Sequence, residues 1–232
     1  MRSTKIATAA LAGLLTVTLA ACGSNNETAP AAPAPSSSTP AAPSATGEPT
    51  PTAEIADLSN GVSTAVALDP AFLEALTART VTPGVLGDAT LVGADITFPI
   101  TGGNVSLFDQ ATVSPYVTGS IEHTGSGLSL TAGGVQVDLT DFVIDPGTSM
   151  LTGTVSSGGA VVAPAGTPLF FLDGSTLQPV QMEGTNAILQ GTTVKLAPGA
   201  AALLNTTYKL SGDTAFPDYF TIGVATITAA TA

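Results

Sequence analysis

From residue 53 onward, hydrophobic and polar positions alternate in short runs. In "GGVQVDLTDF", Val135, Val137 and Leu139 share one face, and Gln136, Asp138 and Thr140 take the other. In "GLSLTAGG", Leu128 and Leu130 alternate with Ser129 and Thr131. "NVSLFD", "YVTGSIEH", "MLTGTVSS" and "PLFFLD" are similar runs bounded by Gly, Pro or Asp. A period of two places one face of a strand on a core and the other in water. Strand signals roughly 8 to 12 residues apart predict an antiparallel sandwich or barrel. Gly102-Gly103 and the glycines of "SSGG" (156–159) are expected to form a hairpin turn or a bulge between strands.

Two segments follow a helical pattern. "DPAFLEALTAR" (69–79) begins with Asp69 as N-cap and Pro70 at the first helical position, and Phe72, Leu73 and Leu76 form an apolar stripe. "APGAAALLNTT" (197–207) also carries an early proline before an Ala-rich run with Leu203 and Leu204. The two align without gaps over 66–84 and 194–212, where Val66, Leu68, Pro70, Leu76 and Gly84 match Val194, Leu196, Pro198, Leu204 and Gly212. Downstream, "VGADIT" (92–97) resembles "IGVATI" (222–227). A strand–helix–strand unit used twice is one reading, and chance identity in a biased composition is the other. A true duplication would put the helices at opposite ends or edges of the sheet. The predicted class is mainly β with two short helices (α+β), sandwich or barrel-like, in a single domain over 53–232.

The N-terminus is a different material. Arg2 and Lys5 precede an uncharged run, Ile6–Ala21, in the manner of a secretory signal over 1–21. That run is short for a bilayer crossing, which takes roughly 20 residues, and no basic stop-transfer cluster follows. It ends in Leu19-Ala20-Ala21-Cys22, around the only cysteine of the chain. This resembles the bacterial lipobox, which implies a diacylglycerol thioether on Cys22 and cleavage just before it. The expectation is a lipid-anchored protein on the extracytoplasmic side of a bacterial cell membrane, since several acyl chains hold a protein to a bilayer. A lone cysteine also excludes an intramolecular disulfide. Residues 22–52 form the expected tether: Glu27–Thr52 holds seven prolines among Ala, Ser and Thr. It is either a semi-rigid polyproline II spacer or a plain disordered one.

Charge narrows the partners. Removal of 1–21 leaves three basic residues, Arg79, Lys195 and Lys209, against 17 acids, a formal net charge of 3 − 17 = −14. Such a surface repels nucleic acid and anionic headgroups. The expected partners are therefore the membrane, through the lipid, and an envelope protein or small ligand.

Catalytic signatures are sparse. The sequence holds no G-x-S-x-G, no H-E-x-x-H, and no S-x-x-K, since Thr192 and Thr206 stand where that serine would be. A two-carboxylate hydrolase leaves no compact motif and ranks third. Asp138, Asp141 and Asp145 in "DLTDFVID" are weak calcium candidates without a D-x-D-x-D-G loop, and the expected metal is none. The most distinctive stretch is "PYVTGSIEHTGSGLSL" (115–130), with Tyr116 and the only histidine, His123. Together with "DLTDFVID" and "LAPGAAALLN" it resembles, over about residues 115–225, part of the HtaA domain of actinobacterial haem-uptake proteins. The family places a histidine inside the glycine turn, where this chain has Ser126. The resemblance implies a secreted β-rich domain that binds haem through a Tyr ligand supported by His, here Tyr116 and His123. The leading expectation is a non-catalytic binding or structural envelope module with no cofactor. A haem or small-ligand uptake lipoprotein is the alternative.

Overall fold

The structure, a computed structural model, describes residues 48–230. The predicted signal segment 1–21, Cys22 and all but the last few residues of the tether lie outside the described residues. In chain order the elements are β1 (Ala53–Ile55), β2 (Ser63–Leu68), α1 (Pro70–Ala78), β3 (Thr82–Gly87), β4 (Thr90–Val92), β5 (Asp95–Pro99), β6 (Gly102–Leu107) and β7 (Val117–Ala132). There follow β8 (Val135–Asp145), β9 (Met150–Ser157), β10 (Ala160–Asp173), β11 (Gln181–Glu183), β12 (Asn186–Leu196), α2 (Pro198–Tyr208) and β13 (Thr221–Ala230). All strands join one antiparallel sheet, ordered β1-β6-β7-β8-β9-β10-β12-β13-β2-β5-β4, with β11 on β12 and β3 on β7. The sheet curls into an open half-barrel, so the predicted class holds and its barrel-like form is the one found.

The core sits on the concave face. Along β13 the buried positions Ala225, Ile227 and Ala229 alternate with the half-exposed Thr226 and Thr228, as expected of a half-buried strand. The alternation changes phase where strands bulge, as β7 and β8 show. On β7 the buried set is Ile121 and His123, then Leu128 and Leu130. On β8 it is Val137 and Leu139, then Phe142 and Ile144. Bulges between His123 and Gly127 and between Thr140 and Val143 cause both switches, because an extra residue moves every later side chain to the other face. The two bulges are joined: Asp141, at φ 54°, accepts a hydrogen bond from the Gly125 amide at 3.2 Å.

Gly158-Gly159 and Gly133-Gly134 turn the β9–β10 and β7–β8 hairpins with positive φ at both positions, the twist that two-residue hairpins prefer. Gly102-Gly103, expected as a hairpin turn or bulge, opens β6 just after the β5–β6 connection. A Cβ at Gly103 would stand 2.1 Å from the Ser120 carbonyl oxygen, so glycine there permits close backbone approach to β7.

The helices occupy one end of the barrel, which corrects the expectation of opposite ends. β2 and β12 both run antiparallel to β13, and Leu68 and Val194 both face Gly223. Each strand ends there and enters its helix at a proline, Pro70 or Pro198. Asp69 caps α1 by accepting from the Ala71 amide at 2.8 Å. Phe72, Leu76 and Leu204 plug this end with Phe170 and Phe216. Arg79 stacks 4.8 Å over the Phe216 ring and donates to the Thr214 and Ala215 carbonyls, tying the end of α1 to the loop after α2. The strand-to-helix corners thus match as aligned, while Gly84 lies in β3 and Gly212 in a 3₁₀ turn.

Candidate functional site

The other end of the half-barrel is open. There Tyr116, Pro115 and Val117 at the start of β7 meet Pro146, Ser149 and the end of β10, around a cavity of about 510 Å³. Its wall is mostly apolar, with Ile55, Val105, Ile121, Leu177 and Leu189 among the lining residues. Concave, largely apolar spaces with a few polar groups are where small ligands bind. The polar groups sit at the rim: Gln110, Ser114, Ser149, Ser175 and Asp173.

Asp173 is the one carboxylate of this lining. It pairs with Lys195 at 2.8 Å and also accepts from the Ser175 hydroxyl and amide. The hydrogen bond from Lys195 and then those from Ser175 hold its pKa down at about 2, so it stays anionic at any physiological pH. Asp173 and Lys195 face each other across β10 and β12, where Asp173 pairs with Thr193 and Phe171 with Lys195. Sequence reading missed this pair, since residues 22 apart become neighbours only through strand register.

The chain enters the described domain at the same rim. The Thr52 amide and hydroxyl both donate to the Leu107 carbonyl, and Leu107 faces Val117 across β6 and β7. Ile55 of β1 then lines the cavity.

Tyr116 lies at this mouth, and His123 does not. His123 is 1 % exposed and sits further along β7, where it faces a smaller inner void. Seven residues of extended chain span about 23 Å at roughly 3.3 Å each. Both ring nitrogens of His123 are committed: Nδ1 lies 2.9 Å from the Pro99 carbonyl and Nε2 lies 3.2 Å from the Thr64 hydroxyl. A carbonyl only accepts, so Nδ1 carries the proton and the neutral ring's Nε2 accepts from Thr64. Burial lowers the His123 pKa and outweighs the opposing hydrogen bond to Pro99. Thr64 is on β2 and Pro99 ends β5, so the ring clasps β7 to the opposite arm of the curled sheet. The structure therefore does not bring Tyr116 and His123 together as ligand and supporting partner. The Thr64 hydroxyl that completes this clasp had no signal in the sequence.

Ser126 is 1 % exposed, and its hydroxyl has no hydrogen-bond partner. The three aspartates each have a different hydrogen-bond partner. Asp141 holds the paired bulges, Asp145 accepts from the Gly147 and Thr148 amides, and Asp138 accepts from the Gln136 side chain at 2.7 Å. Among the described residues no group of three His, Cys, Asp or Glu is placed to hold a metal.

No protein-family model matches the sequence, and neither does any curated protein. The fold is found in a solved structure. The C-terminal domain of HtaA from Corynebacterium glutamicum superposes with a TM-score of 0.50 at 13 % identity, over 76 % of this chain and 98 % of that one. The haem-binding protein HtaB from the same organism gives 0.44 at 11 % identity, over 77 % and 96 %. The likeness to the HtaA domain is one of fold.

Proposed function

We propose that this chain is a ligand-binding module of the bacterial cell envelope, and that the open end of the half-barrel is its binding site. One observation carries the reading: a cavity of about 510 Å³ with apolar walls and polar rim, opposite an end plugged by two helices. An interior sealed at both ends would have favoured a purely structural module. Haem is the first ligand to test, because both the sequence resemblance and the shared fold lead to HtaA domains. The residues present fit it in part. Tyr116 offers a phenol oxygen at an apolar mouth, the type of axial donor that haem iron accepts. His123 would not assist, being held by Thr64 and Pro99. With Asp173 the only charged group of the lining, propionates would face solvent rather than the wall. The lipid on Cys22 would hold the module at the membrane.

The test is a hemin titration of the mature chain, followed at the Soret band, beside Tyr116→Ala. A shift in the wild-type chain that the variant loses supports haem at this site. Absence of any shift at micromolar protein removes haem from the reading.

A further inference from the structure

The open end continues inward. Behind it lies a smaller void of about 50 Å³, walled by Ile96, Phe98, Phe142, Val194 and Ala225, and no polar atom faces it. Ile144, Leu172, Thr192 and Ile227 line both spaces, which adjoin at these four side chains, a neck for any chain that passes between them. The only ring nitrogens near this void belong to His123, and they are already bonded. The site therefore has a polar rim, a wide apolar vestibule, and a narrow apolar extension on the same axis. A rigid planar ring fills the vestibule only. A flexible hydrocarbon chain fills vestibule, neck and void in sequence, and each methylene it buries gains free energy.

Charge selects the head. The rim carboxylate Asp173 is shared with Lys195, and no unpaired cation lines the mouth. A net charge of 3 − 17 = −14 on the mature chain adds long-range repulsion of anions. Rim hydroxyls and amides, such as those of Ser149, Ser175 and Gln110, suit a hydroxylated uncharged head.

We infer that the open end takes an amphiphile with a single acyl chain and an uncharged, hydroxylated head, of the monoacylglycerol kind, with the chain threaded through the neck. This rests on the open end being the ligand site, but it does not need haem to be the ligand.

The experiment is calorimetric titration of the mature chain with monoacylglycerols of increasing chain length, each below its micelle concentration, beside fatty acids of matched length. Affinity is expected to rise roughly fourfold per added methylene, then to stop rising once the void is full. The matched fatty acids are expected to bind more weakly. Ala225→Leu, which fills the void, is expected to stop the rise at a shorter chain. If that variant does not fold, the plateau in the wild-type series decides alone. Affinity independent of chain length, a rise with no plateau, or tighter binding of the fatty acid overturns the inference. Hemin binding at Tyr116 without acyl binding overturns it and leaves the open-end reading standing. Failure of hemin and of every amphiphile overturns both.

Discussion

His123 makes the stability of this fold testable by pH alone. It is the only histidine in the chain, and acids titrate mostly below pH 5, so between pH 5 and 7.5 one side chain dominates. In the folded state its pKa lies below the ordinary histidine value, about 6.5, because burial disfavours the charged ring. In the unfolded chain it titrates near that ordinary value. Above it both states hold the ring neutral and stability is flat. As pH falls through it, the unfolded state takes up a proton that the folded state refuses, so stability falls with pH. The limiting slope is about 1.4 kcal/mol per pH unit, and the loss by pH 5 is at most about 2 kcal/mol. For a domain of this size, 1 kcal/mol moves Tm by about 2–4 °C, so the expected fall approaches about 4–8 °C. Carboxylates held anionic by the fold, such as Asp173, lose stability in the same direction, but only around and below their ordinary range, under pH 5. Thermal melts by circular dichroism from pH 7.5 to 5 measure the slope. His123→Asn retains a donor for the Pro99 carbonyl and does not titrate. It should be less stable at pH 7.5, by about 1–3 kcal/mol for the Thr64 hydroxyl left without its partner, but level in pH. A flat wild-type profile, or a slope that survives in His123→Asn, would refute the buried clasp.

Other substitutions probe separate features. Ser126→Ala removes a buried hydroxyl that has no partner, and urea unfolding should show unchanged or higher stability, by up to about 1 kcal/mol. Gly103→Ala puts a Cβ against the Ser120 carbonyl at positive φ, and a loss of about 2–4 kcal/mol is expected, with lost amide protection along β6. Arg79→Met keeps the stem but loses the bonds to the 214–215 carbonyls, and Tm should fall by an amount equivalent to about 1–3 kcal/mol.

Much of the fold was legible because its rules are local. Asp69-Pro70 and Ala197-Pro198 announce helices by cap and fixed φ, and the glycine pair at 158–159 announces a hairpin. The bulges were not legible. Nothing in "HTGSG" or "LTDFV" shows that each strand changes face there, because a bulge is defined by two strands together. The same holds for the site. Tyr116 was visible as a rare aromatic, but its distance from His123 depends on both lying along a single strand. Thr64 and the Asp173–Lys195 pair are ordinary residues in sequence and acquire roles only through register. Shared ends were also invisible: the direction of β12 relative to β2 follows from β13 lying between them.

The rim at Thr52 gives the domain a polarity. Because the chain joins β6 beside the cavity mouth, whatever holds the N-terminus keeps that mouth on a leash on its own side. The helix-plugged end and the glycine hairpin tips point the other way. Were the N-terminal segment anchored as proposed, a ligand arising at that surface would meet its site at an effective concentration set by the length of chain between rather than by bulk supply. Lengthening or stiffening residues 22–52 would then tune capture without touching a single contact in the pocket.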